Sequence, residues 1–456
     1  MNTSSSREQS SHRSANASPA PSTTPSSETP EKPESIPTAY LSDKAGTDDS
    51  SKLKTFLGIL RKFIGVSDIA SVRFSLPSQL LEPTPNLEYW NYLDRPETFI
   101  SVDDSDEPLG RMLAVLRFWF TKDLKYIKGK PCKPYNSTLG EFFRCNWEVE
   151  DSTPPILEDE KKETIGHHID TKGKPVRISY LTEQTSHHPP VSAFYIDCPV
   201  KGISARGFDQ ITAKFTGTSV KVAPGAHNLG IFLNLKSRNN EEYQMTHPIA
   251  SLGGIIRGSL SISVADTCFV TCPRTKQKCI LEYLEESWLG KTQNRVKGVV
   301  FSYDPTNDKT NRIRDVHESD ILARVEGCWH ETVSYQLPGA KEFTPLIDLR
   351  PLMPTAKIVP PITSQLPNES QRFWQQVTTN IKEKRFQEAT KQKTELEERQ
   401  REKAKDREKT GNEWHPRFFK EGSKDGRPEL SEDGVKTLEG LQAGIWELKE
   451  SEVTGA

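Results

Sequence analysis

The sequence predicts a mainly β protein (α+β) with flanking helices, built on one antiparallel sheet large enough to close into a barrel. Two observations carry this. Between about residues 166 and 335, apolar residues recur at every second position, as in Val176/Ile178/Tyr180, Ile231/Leu233/Leu235 and Leu260/Ile262/Val264. That is the period of strands with one buried face. Turn formers punctuate these runs at Pro224-Gly225, Asn239-Asn240 and Asp304-Pro305, as expected of many short strands. A barrel of many strands can enclose a cavity in place of a packed interior. No internal repeat, GxGxxG or P-loop appears.

The 456 residues are 34% hydrophobic and the mean hydropathy is -0.66, low for a compact protein of this length, because polar tails dilute a more ordinary centre. Formal net charge is -2, so no global field draws the chain to nucleic acid, and any anion site must be a local cluster. The seven cysteines include no CxxC pair, and the start, Met1-Asn2-Thr3-Ser4, lacks the charged-then-apolar layout of a signal peptide. Both predict a reducing, cytoplasmic compartment. No apolar run nears the roughly 18 residues that cross a bilayer, so any contact with membranes is expected to be peripheral.

Residues 1–50, rich in Ser, Thr, Pro, Asn and Glu, have too few large apolar side chains to offset ordering entropy and read as a disordered tail. Residues 51–130 read as an N-terminal helical region. Its first helix starts at Lys52, with Leu53, Phe56, Leu57, Leu60, Phe63 and Ile64 on one face and Lys52, Lys54, Arg61 and Lys62 as its polar side. Such a helix suits either a packed position or a mobile, membrane-contacting lid. An extended, proline-bounded segment from Leu76 to Pro83 follows, carrying Leu80 and Leu81. Helices are then expected from about Asn86 to Leu93 and from Pro108 to Leu124, the second with Met112, Leu116 and Trp119 in the core. Residues 131–365 hold the sheet. Residues 366–456 read as a C-terminal helical region and polar tail. A charge-rich helical stretch runs from about Glu369 to Lys409, too thin in apolar positions for a coiled coil. An aromatic patch beyond it (Trp414, Phe418, Phe419) is expected to dock on the body.

Three stretches carry chemistry. Glu183-Gln184-Thr185-Ser186-His187-His188-Pro189-Pro190 sets two adjacent imidazoles before two prolines, which fix φ, remove two donors and push His188 towards an extended conformation. Imidazole carries charge near neutral pH, and a nearby phosphate favours that charge. The pair suits a phosphate clamp, a general base or part of a metal site. In Lys133-Pro134-Tyr135-Asn136-Ser137-Thr138-Leu139-Gly140-Glu141, a cation, an amide and a carboxylate surround a turn. Lys393, Glu397 and Arg401, four apart, share one helix face. Singly, each also has an ordinary reading: a core histidine pair, a cap, or i,i+4 salt bridging.

Together the three stretches resemble the oxysterol-binding-protein-related lipid transfer proteins, in a short form made of the lipid-binding domain alone. The resemblance runs from near Lys52 to about Lys420. It implies a near-complete antiparallel β-barrel around a hydrophobic lipid tunnel, with the first helix as lid and Leu53, Phe56, Leu57, Leu60, Phe63, Leu76, Leu80 and Leu81 as lid and tunnel residues. It also implies one-at-a-time lipid carriage, exchanging phosphatidylinositol 4-phosphate for a sterol or phosphatidylserine, or else lipid sensing without net transfer. Carried over by motif, His187, His188 and Arg401 would hold the 4-phosphate, while Lys133, Asn136, Glu141, Lys393 and Glu397 would hold the inositol and glycerol-phosphate end. Thr212 stands where some members have a strand lysine, and Lys214 on the same face could substitute. Leu76-Pro77, Leu81-Glu82-Pro83 and Leu87-Glu88 are similar to a lid-adjacent pattern of phosphatidylserine carriers. No cofactor, metal or nucleic acid is expected; the protein is expected to be a monomer and not an enzyme, acting at membrane surfaces such as endoplasmic reticulum contact sites. A hydrolase using His187 or His188 as base lacks a nucleophile elbow or a second ligand cluster.

Overall fold

The computed structural model describes residues 49–70, 76, 78–128, 133–157, 171–254, 260–284 and 293–449, with side chains from residue 54 onward. The expected N-terminal tail, Leu53 as a side chain, Cys132 and the last residues lie outside them.

Helix α1 (Asp49–Leu60) runs into a 3-10 turn (Arg61–Phe63) and stops at Gly65, whose φ of 89° is one that only glycine adopts cheaply. Just beyond, Asp68 Oδ1 accepts from the Ala213 amide at 2.8 Å, and the Ile69 amide donates to the Ala213 carbonyl at 2.6 Å, which pins the helix exit to a strand. Leu76 is buried. Ser78–Leu80 form a 3-10 turn where an extended segment is expected, and extension begins only with β1 (Leu81–Pro85). This strand pairs in parallel with β2 (Lys133–Tyr135), Leu81 opposite Lys133. Helix α2 (Asn86–Tyr89) is a single turn; Tyr92, at φ 60°, precludes the longer helix. After α3 (Pro96–Ile100) comes α4 (Pro108–Thr121), buried from Gly110 to Thr121, as an all-round apolar helix must be. The expected extension to Leu124 is a separate helix, α5 (Leu124–Lys128).

The main sheet has twelve antiparallel strands: β3 (Phe142–Glu150), β4 (Pro175–His187), β5 (Pro190–Cys198), β6 (Ile203–Asp209), β9 (Ile231–Leu235), β10 (Glu241–Met245), β13 (Thr267–Cys272), β14 (Gln277–Tyr283), β15 (Arg295–Ser302), β16 (Ile321–Cys328), β17 (Thr332–Gln336) and β18 (Thr344–Asp348). They are adjacent in that order, so β3 and β18 are the edges. The sheet begins well before the alternating stretch because β3 is buried on both faces from Phe142 to Trp147, which erases the period of two. Beyond β18 the chain returns along β3: Asn146 and Ile358 exchange both backbone hydrogen bonds, at 2.8 and 2.7 Å. The edge of β3 is thus covered by this strap and not by β18.

The strands β7 (Ile211–Phe215), β8 (Val220–Pro224), β11 (Ala250–Gly253) and β12 (Ser261–Val264) form a second, four-stranded sheet. Its apolar side (Phe215, Val220, Val222, Leu252) shares one core with Leu60 and Phe63 below α1 and with Trp374, Val377 and Ile381. The charge-rich stretch is three helices, α6 (Ser370–Phe373), α7 (Gln375–Lys382) and α8 (Phe386–Thr410), interrupted where Lys384 takes φ 60°. Helix α9 (Glu432–Gln442) is capped by Ser431, whose hydroxyl accepts from the Gly434 amide at 3.1 Å, with two acids in its first turn. Phe418 and Phe419 join its Leu438 and Leu441 against Phe142 and Leu181; Trp414 stays half-buried. Among the described residues no helix is long and apolar enough to cross a membrane.

Candidate functional site: a cationic pocket at the β1–β2 pair

The parallel β1–β2 pair brings the segment after α1 beside Lys133. Tyr135 on β2 stacks on Trp374 at 5.0 Å and its hydroxyl lies 3.0 Å from Thr378 Oγ1 on α7. Ser78 Oγ donates to the Phe386 carbonyl at 2.7 Å and lies 2.8 Å from Thr390 Oγ1 on α8. These contacts set α8 so that Lys393, buried at 5% exposure, faces Lys133. The two ammonium groups repel. Burial first, and Lys393 second, lower the Lys133 pKa to about 8, with Glu397 acting in the opposite direction. Glu397 is the carboxylate between the cations: its Oε1 is 2.9 Å from Lys393 Nζ, and its Oε2 is 3.6 Å from the exposed Arg401. Lys133 Nζ also donates to Asn136 Oδ1 at 2.5 Å.

The histidine motif is tied to the same turn through Gln184. The Gln184 amide donates to the Glu141 carbonyl at 2.8 Å, the Gly140 amide donates to the Gln184 carbonyl at 3.1 Å, and Ser137 Oγ donates to Gln184 Oε1 at 2.5 Å. Three residues on, His187 pairs with Pro190 across a tight hairpin in which the His188–Pro189 bond is cis. The corner is therefore a turn of the cis-proline kind and not the extended corner expected. Ser186 Oγ, donating to the Pro189 carbonyl at 2.7 Å, closes it. His187 is half-buried, His188 is exposed, and the two rings meet edge to face at 4.7 Å. Among the described residues no group of three His, Cys, Asp or Glu side chains could hold a metal ion.

Two of the expected headgroup residues sit apart from the others, Glu141 by burial and Lys214 by its sheet. The Glu141 carboxylate is wholly buried and accepts from the Thr138 amide at 3.0 Å, Ser370 Oγ at 2.7 Å and Trp374 Nε1 at 3.1 Å. Burial raises its pKa to about 7. It positions the turn, as the equally buried Glu183 positions the C-terminal segment by accepting from the Arg417 and Phe418 amides, both at 2.8 Å. Lys214 is exposed on β7, in the second sheet, and among the described residues no hydrogen bond or ion pair joins it to the pocket.

The sequence reading missed a second polar cluster, set in the apolar interior. Tyr92 donates to Asp209 Oδ1 at 2.5 Å and Trp119 Nε1 to Tyr283 at 2.9 Å. The His247 ring lies against both Tyr92 and Trp119, and the Lys122 ammonium sits 4.2 Å above the Trp119 ring. Burial raises Asp209 to about 7 and lowers His247 to about 3. Lys122-Asp123 reads as surface in sequence; only the fold turns this pair inward.

Residues 55–383 match the family described as Oxysterol-binding protein. Oxysterol-binding protein-like protein 1 of Schizosaccharomyces pombe is 42% identical over 86% of this chain and 91% of its own length. Human oxysterol-binding protein-related protein 9 is 29% identical over 76% of this chain, which spans 44% of that relative. Among solved structures, the Osh1 ORD domain in complex with ergosterol is similar over 87% of this chain and 90% of that one (TM-score 0.61, 19% identity). The Osh3 ORD in complex with PI(4)P from Saccharomyces cerevisiae is similar over 87% and 94% (TM-score 0.59, 17% identity). At such identities the likeness speaks to the fold.

Proposed function

The chain belongs to the oxysterol-binding protein family, and from that premise we propose that it binds lipids one at a time and transfers them between membranes, exchanging phosphatidylinositol 4-phosphate for a sterol or phosphatidylserine. The observation that carries this is the pairing of Lys133 with buried Lys393. Two cations held close enough to depress one pKa, beside a carboxylate that already bridges Lys393 to Arg401, gain from an added anion. His187, His188 and Arg401 take the phosphate end, Lys133, Asn136, Lys393 and Glu397 the remaining headgroup, and Glu141 acts by positioning the turn. Lys214 is a reserve cation for this role, reached only if β7 moves against the pocket.

In this reading the twelve strands and the returning strap make a near-complete barrel (residues 131–365) whose interior takes the acyl chains, at about 0.8 kcal/mol per buried methylene. Within residues 51–130 the first helix supplies the lid: Phe56, Leu57, Leu60 and Phe63 close over the cargo beside Leu80 and Leu81. The cluster around Tyr92, Asp209 and His247 meets the cargo's buried end where that end is polar. Work of this kind needs no catalysis, no transmembrane anchor and no second copy of the chain. The test is liposome-to-liposome transport with each lipid alone and in competition. The His187→Ala/His188→Ala double variant is expected to lose phosphoinositide extraction and keep the second cargo; equal loss of both would sink the assignment.

A further inference from the structure

We propose that a cleft remote from the headgroup pocket, between α4 and the edge strand β18, binds a small organic monoanion whose charge is met by Arg117. The cleft encloses about 300 Å³ and is lined by Arg117 with Thr153, Pro154, Leu346, Ile347 and Leu352 on its other sides. That volume lies at the small end of ligand pockets.

Arg117 is 5% exposed, and among the described residues no carboxylate is in ion-pair contact with it, although Asp104 and Glu97 act on it from further away. Of the five N–H groups of a guanidinium, one on NH1 donates to the Pro154 carbonyl at 2.8 Å and one on NH2 to Ser101 Oγ at 2.9 Å. Nε has no acceptor among the described residues. The nearby carboxylates serve other cations. Glu97 pairs with Arg95, Asp348 accepts from Arg350 at 2.9 and 2.8 Å, and Asp104 holds Lys172 and Lys201 at 2.8 and 2.6 Å. A buried cation with no carboxylate in direct contact is costly, and desolvation lowers this guanidinium to about 10, so it stays charged at neutral pH. A ligand that brings one negative charge supplies what the protein omits.

The walls decide the rest of the ligand. Pro345, Leu346, Ile347 and Leu352 line the cleft and offer an apolar surface to a short hydrocarbon or aromatic body. A carboxylate with a compact apolar body fits both the guanidinium and these walls; inorganic phosphate brings no apolar surface to them.

The probe is benzoate, followed by saturation-transfer NMR on the full chain, with benzamide and inorganic phosphate as controls. Benzoate is expected to bind, with benzamide and phosphate each roughly tenfold weaker. Leu352→Trp, which fills the cleft and leaves Arg117 intact, and Arg117→Gln are each expected to remove the signal. The His187→Ala/His188→Ala variant should retain it in full. Absence of benzoate binding, equal binding of benzamide or phosphate, or undiminished binding to Leu352→Trp would overturn the proposal. So would loss of the signal in the histidine variant, by moving the site to the headgroup pocket.

Discussion

Two groups of buried cations in this fold are arranged differently. On α4, Arg111 meets Glu241 in a two-pronged pair at 2.7 and 2.8 Å and gives NH1 to the Ser105 and Asp106 carbonyls. Nearby, Lys201 is held by Asp104 and Asp151 at 2.6 and 2.8 Å. At the β1–β2 pair, Lys133 and Lys393 face each other with Glu397 shared among Lys393, Arg401 and the field at Lys133. The first arrangement matches each cation to carboxylates; the second sets two cations against each other beside Glu397. The first reads as architecture, and the second reads as a place for an anion. Glu141 shows that motif membership does not decide which side a residue falls on.

Breaking a compensated pair should have the largest effect. Arg111→Met leaves Glu241 buried without its partner and is expected to lower stability by about 3–5 kcal/mol, seen as a shifted urea midpoint. Glu141→Ala, which strands three buried donors, should cost about 1–3 kcal/mol in the same measurement. By contrast, Lys133→Met removes a charge that burial and Lys393 disfavour, so it should not lower stability, yet should abolish phosphoinositide extraction. A destabilisation as large as that of Arg111→Met would erase the distinction between the two groups.

A further set of effects is in pH dependence. Glu141 is raised in the folded state to about 7 from its ordinary 4.5. The stability it contributes is therefore fully present below about 4.5 and lost as pH rises through 7. Glu141→Gln, whose amide can still accept from Thr138 and Trp374 and donate to Ser370, should flatten that slope in urea titrations across this window. Lys133, lowered to about 8 from 10.5, has the opposite sign: the unfolded chain binds the extra proton between 8 and 10.5, so stability rises with pH there. Lys133→Met should remove this rise, and headgroup affinity in the parent protein should fall as pH passes 8.

Much of this was legible in the residues. The spacing of Leu57, Leu60 and Phe63 gave α1, and alternation gave most of the sheet. What escaped did so for physical reasons. Strand β3 is covered on both faces, so it has no alternation to read. Lys384 breaks the charge-rich helix by a backbone conformation that its side chain does not announce, and α9 was signalled only by Ser431 and two following acids. At the site, residue types and order were legible but burial was not, so the burial of Glu141 and the place of Lys214 in the second sheet could not be read. Arg117 and the Lys122–Asp123 pair carry no local sequence signal, because their character comes from distant strands.

The most direct test of the central claim is equilibrium extraction of phosphatidylinositol 4-phosphate from liposomes by the parent protein and by Lys133→Met and Lys393→Met, with sterol and phosphatidylserine extraction measured in parallel. If Lys133 and Lys393 form the headgroup pocket, both variants stay folded, lose the phosphoinositide and retain the second lipid. Folded variants that extract the phosphoinositide as well as the parent does would contradict the account.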